Sequence, residues 1–178
     1  MRSWLLLLAA LLSGTAAASG HEVSLGSTTL LVNNGGVFNP VAPRWGVEAA
    51  YGRELGSWQL GGGARWAFTR DTALPLELYA RALLAPRLGF WTPAVGPELG
   101  FSGLPIVLPP RGGFPEEHPD IEAARLGPLY VAIHAAPLRF TFRHFTVSAL
   151  ELHWGTTLNA PGAMLRLQLG VARLGVTL

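Results

Sequence analysis

The sequence contains no cysteine and no lysine. Without cysteine there is no disulfide framework, no thiolate metal site and no cysteine nucleophile. All 13 basic residues are arginine, set against 11 acids for a formal net charge of +2. That charge is too small for a nucleic-acid footprint, so no nucleic-acid partner is expected. Charged residues make up only 13% of the chain, roughly half the ~25% of ordinary soluble domains. The apolar share of 49% and mean hydropathy of +0.33 exclude disorder. A length of 178 residues suits one domain. Beyond the N-terminus there is also no apolar run of the ~20 residues that a membrane-spanning helix needs.

The N-terminus reads as an address. Arg2 supplies a positive start, Trp4 to Leu12 is continuously apolar, and Ala16-Ala17-Ala18 offers a small-residue cleavage site before Ser19. These are the three parts of a secretory signal peptide, with an apolar part too short to be an anchor. The expected organisation is a cleaved segment 1–18 followed by one domain, 19–178.

What the mature chain has in abundance is period two. Trp45, Val47, Ala49 and Tyr51 alternate with Arg44, Gly46, Glu48, Ala50 and Gly52. The same pattern runs through Trp58–Phe68, Leu74–Leu84, Leu129–Ala136 and Leu165–Ala172. Strict alternation signals strands with one apolar face. It predicts eight strands, at about 22–32, 44–54, 57–70, 73–84, 87–101, 127–136, 139–155 and 163–177. Gly56, Ala85-Pro86 and Pro137-Leu138 are the expected tight links, and 33–43, 102–126 and 156–162 the longer ones. Only Asp71-Thr72 is short on the long side. Hairpin extensions within 33–43 and 102–126 would raise the strand number to ten.

The polar face carries small residues and scattered charges rather than a solvated mixture. Gly46, Ala50, Gly61, Gly63, Ala94, Gly96, Gly100 and Gly170 lie on it. Such a face suits the crowded interior of an eight-stranded barrel, which side chains just fill. Aromatic residues gather at strand ends. Tyr51, Trp58, Phe90, Trp91, Phe140 and Phe142 lie towards the tight turns, and Trp45, Trp66, Phe68, Phe101 and Trp154 towards the longer loops. Trp58 to Phe68 spans about 25 Å along a tilted strand, which matches the apolar band between two membrane interfaces. The fold expected is all-β: an eight-stranded antiparallel up-and-down transmembrane β-barrel. A soluble periplasmic barrel is the alternative fold. Pro75, Pro93 and Pro97 fall inside strands, where a closed barrel has no edge for them; bulges, or stretches where strands protrude, are the expected places for them.

Signal peptide, alternation, strand number and loop asymmetry together resemble the small outer-membrane β-barrel proteins of Gram-negative bacteria, the OmpA-like and OmpX-like barrels. The resemblance covers the whole chain. It implies a location in the cell outer membrane, with outer-membrane lipid and the outer-membrane assembly machinery as partners. Barrels of this group often end in an aromatic residue that the assembly machinery reads; here Leu178 stands instead.

The interior face collects Glu48, Arg65, Glu77, Arg81, Glu98, Arg139, Glu151, His153 and Arg166. In an open pore these would form a selectivity ring. Their near-balanced signs instead favour a plug of Arg–carboxylate pairs, which the planar guanidinium can bind bidentately. Glu151 and His153 also echo the Glu and His-x-Ser of outer-membrane lipid A deacylases, but Gly155 occupies the nucleophile position and has no hydroxyl. The acidic residues Glu116, Glu117, Asp120 and Glu122, with His118 among them, match no metal-loop spacing and read as a solvated loop. No cofactor, metal or catalytic set is expected. The expected role is structural or loop-mediated surface interaction with an unidentified partner. The alternatives are a small pore or carrier for apolar molecules, or a lipid-modifying enzyme.

Overall fold

The computed structural model describes residues 20–34, 43–68, 75–103, 128–158 and 164–177. Among them are nine strand segments: β1 (His21–Asn34), β2 (Arg44–Leu55), β3 (Trp58–Ala67), β4 (Leu76–Leu84), β5 (Ala94–Ser102), β6 (Leu129–Ala136), β7 (Arg139–Phe142), β8 (Phe145–Thr157) and β9 (Met164–Thr177). Each pairs antiparallel with its neighbours. β1 pairs with both β2 and β9, and β6 closes onto β8, so the sheet has no free edge.

The barrel is eight-stranded because β6 and β7 are one strand. Their register against β8 continues without slip from Ala135↔Leu152 to Arg139↔Ser148, four residues further on each side. Pro137, which has no N–H to donate, interrupts the ladder there. The sequence places a tight turn at Pro137-Leu138 and a strand over 139–155; the structure corrects both. The chain reverses at Arg143-His144, where Phe142 pairs with Phe145. A similar correction applies at Ala85-Pro86, which continues the β4–β5 hairpin downward. The reversal lies at Gly89-Phe90, inside the Leu88↔Trp91 bridge. The turn at Gly56-Ser57 is as expected. All three turns begin with a residue at positive φ: Gly56 at 66°, Gly89 at 71° and Arg143 at 53°. Pro97 is accommodated by a gap: the β4–β5 ladder skips from Arg81↔Glu98 to Leu84↔Val95. Pro75 and Pro93 precede β4 and β5.

The distribution of polarity is reversed relative to a soluble domain. Residues buried inside include Glu22, Glu48, Gln59, Arg65, Glu98, His134 and Arg173, while Leu99, Ile133, Leu174 and Val95 stand exposed on the outer wall. The expected aromatic sets lie on that wall too: Tyr51, Trp58, Phe90, Trp91 and Phe142 towards the tight turns, joined by Phe145, and Trp45, Trp66, Phe68, Phe101 and Trp154 towards the loops. A water-soluble barrel would turn its apolar alternation inward. Here the polar alternation is inside.

Facing switches once along the wall. Ala136 and Arg139 both point inward although three residues apart, and so do Ser148 and Glu151 on the paired strand. On β9 the switch falls at Ala172, at φ 57°, where the register against β1 shifts between Leu25 and Ser27. An extra residue of this kind moves every later side chain to the other face.

Candidate functional site

The interior is filled by three layers of polar side chains. At the tight-turn end, Arg139 donates to Glu22 at 2.5 Å, and Gln59 and Thr146 reach the same carboxylate oxygen at 3.3 and 3.4 Å. At the loop end, Ser102 donates to Glu77 at 2.6 Å, and Gln168 donates to Thr28.

The middle layer is built around Arg65. From β3 its guanidinium donates to Glu48 at 2.8 Å and bidentately to Glu98 at 2.7 and 2.8 Å. It also donates to the Tyr130 hydroxyl at 2.8 Å, and it lies 3.8 Å over the ring of Tyr79. Tyr130 in turn donates to Glu98 at 3.0 Å, and Tyr79 donates to Glu48. Arg173 joins Glu48, and Glu151 at 3.0 Å. Seven strands thus converge on one knot: β2, β3, β4, β5, β6, β8 and β9. The bulky rings fit because their direct cross-strand partners are glycines: Gly100 beside Tyr130 and Gly63 beside Tyr79. A Cβ on Gly100 would collide with the Tyr130 ring.

A pair of histidines completes the layer. His134 and His153 sit directly opposite each other on β6 and β8, with ring centroids 4.2 Å apart. His153 Nδ1 lies 3.0 Å from Glu98, and His134 Nδ1 lies 3.1 Å from Arg81. His134 Nε2 is buried without a hydrogen-bond partner, 3.6 Å from Glu151. Glu98, His134 and His153 bring possible metal-ligating atoms within 4.8 Å of one another. The charge inventory argues against a dication there. Glu48, Glu98 and Glu151 already face Arg65, Arg81 and Arg173, and Arg65 occupies both oxygens of Glu98. A further +2 among these buried side chains would stand uncompensated.

The interior residues named from the sequence are therefore largely brought together. Glu48, Arg65, Arg81, Glu98, Glu151 and His153 meet in the middle layer; Arg139 lies in the turn-end layer and Glu77 in the loop-end layer. The side chain of Arg166 lies outside the described residues, as do the acidic residues of 104–127. Sequence reasoning missed Glu22, Tyr79, Tyr130, His134 and Arg173. The first four lie on faces whose parity was legible. Arg173 was not, because the Ala172 irregularity moves it inward. The Glu151–His153 pair sits in the centre of the plug, sealed from the outer wall where lipid would lie.

No protein-family model matches the chain, and no curated protein sequence matches it. Solved structures do. Neisserial surface protein A superposes with a TM-score of 0.60 at 9% identity, covering 92% of this chain and 100% of that one. Ail, the attachment invasion locus protein of Yersinia pestis, superposes with a TM-score of 0.50 at 13% identity, covering 88% of this chain and 98% of that one. With eight antiparallel strands closed into a ring, a polar interior and an apolar wall, the chain has the fold of the small outer-membrane β-barrels of Gram-negative bacteria.

Proposed function

We propose that this protein is an integral outer-membrane barrel with a non-enzymatic role, structural or exercised through its surface loops. The supporting observation is the knot at Arg65. It ties β2, β3, β5 and β6 across the lumen with hydrogen bonds of 2.7–2.8 Å, leaving charges paired rather than lining a passage. A barrel of eight strands has little interior to spare once such side chains fill it. With the lumen filled and the wall facing lipid, the loops are the surface left for recognition. Length and proline content single out 104–127 among them.

Planar-bilayer recording on the purified protein tests the reading. A silent bilayer is expected. Steady single-channel openings, with ion selectivity altered by Glu98→Ala, would establish the pore instead. Protease added to intact cells is expected to cut at Arg111 or Arg125 and leave a protected barrel. Cleavage at the Gly56 turn with the long loop protected would invert the orientation.

A further inference from the structure

The outer wall is apolar almost throughout, and on β2 it reads Trp45, Val47, Ala49, Tyr51, Arg53, Leu55. Arg53 breaks the pattern. Among the described strand residues it is the one Arg, Asp or Glu whose side chain faces outward. Its position is specific. Arg53 pairs directly with His21 on β1 and with Leu60 on β3. Directly opposed residues of an antiparallel pair hold their Cβ atoms about 5 Å apart, so Arg53 and His21 are side-chain neighbours. His21 is hydrogen-bonded through Nδ1 to the Tyr51 hydroxyl, with ring centroids 5.6 Å apart. Three polar tips therefore gather on the lipid-facing wall, level with the aromatic belt of Tyr51 and Trp58 and two residues short of the turn.

The carboxylate next in sequence does not share this face. Glu54 points to the other side of β2 and is engaged by Arg87. An outward cation at bilayer mid-depth is costly, whereas at the interface the cost nearly vanishes and phosphate oxygens are within reach. A guanidinium matches a phosphate through two parallel N–H donors.

We propose that His21, Tyr51 and Arg53 form a headgroup site that takes the phosphate of an acidic phospholipid in the leaflet on the tight-turn side. Arg53 supplies the charge and the planar fork. His21 and Tyr51, held by each other, flank it with further polar atoms. The site rests on the membrane reading above.

The test uses the full chain in nanodiscs of phosphatidylcholine with a minor fraction of phosphatidylglycerol, and native mass spectrometry counts the lipids retained on release. Wild type is expected to retain phosphatidylglycerol preferentially. Arg53→Gln is expected to lower that preference about fivefold, the effect of one basic residue at a membrane surface. Arg143→Gly, which removes a cation from another turn, is expected to leave it unchanged, and soluble glycerol phosphate is expected not to displace the lipid. Gel mobility before boiling reports that each variant is folded. Equal preference in wild type and Arg53→Gln overturns the site. Equal losses in both variants would mean diffuse surface charge, and displacement by glycerol phosphate would mean a soluble-anion site; either overturns it. A chain that remains monodisperse without detergent refutes the membrane reading itself, before any lipid is counted.

Discussion

Replacing Arg65 by Ala removes the hub of the middle layer. Five hydrogen-bond contacts disappear, to Glu48, to both oxygens of Glu98, to Tyr130 and to His153, together with the stack on Tyr79. The consequence depends on what the two carboxylates keep. Glu98, 1% exposed, retains Tyr130 and His153 but no guanidinium at hydrogen-bond distance. Glu48 retains Tyr79 and Arg173, with Arg81 at 3.8 Å. Removing one partner of a buried pair typically costs ~3–5 kcal/mol. Glu48 stays compensated, so the loss falls mainly on Glu98 and the lower end applies, about 3 kcal/mol. Urea unfolding in detergent micelles, followed by tryptophan fluorescence and by gel mobility before and after boiling, measures it. The double variant Arg65→Met with Glu98→Gln removes the stranded charge with its partner. It is expected to be more stable than Arg65→Ala, because the single variant's penalty lies in the orphaned carboxylate. A change below ~0.5 kcal/mol for Arg65→Ala, the level of an ordinary surface substitution, would refute the reasoning. So would a double variant weaker than the single one.

Other expectations follow from the same geometry. Leu99→Arg puts a cation midway along the outer wall, where Leu99 pairs with Ala80 and Val131. It should cost ~2–4 kcal/mol in lipid bilayers, and a negligible loss on reversible unfolding would count against a lipid-facing wall. Gly100→Ala drives a methyl into the Tyr130 ring. A loss of about 1–3 kcal/mol is expected from overpacking, partly recovered by adding Tyr130→Leu, as a thermal melt of the double variant would show. Arg143→Gly relieves a non-glycine residue at φ 53°. It should raise stability by about 1 kcal/mol in equilibrium unfolding, and a decrease would mean that the Arg143 side chain itself holds the turn.

Much of this architecture is determined by the sequence alone, because a strand's side-chain period of two is local. Alternation assigned inward and outward faces for most strands, and so placed Glu48, Arg65, Glu77, Arg81, Glu98 and His153 inside without any tertiary information. The aromatic positions at strand ends marked two belts in the same way. Even strand number and antiparallel order followed from counting segments. Three things were decided only in the folded barrel. The turns at Gly89-Phe90 and Arg143-His144 are not where the prolines suggested. Pro86 and Pro137 remove a donor without reversing the chain, and the cross-strand partners decide whether a strand resumes. Ala172 shifts the β9 register against β1, and that shift turns Arg173 inward. No local pattern announces it, because the bulge exists only relative to a partner strand. Finally, alternation brings charges to a common face but cannot say which of them meet. That Arg65 holds Glu48 and Glu98 at once, while Arg139 serves Glu22 in a separate layer, is set by strand stagger around the closed barrel.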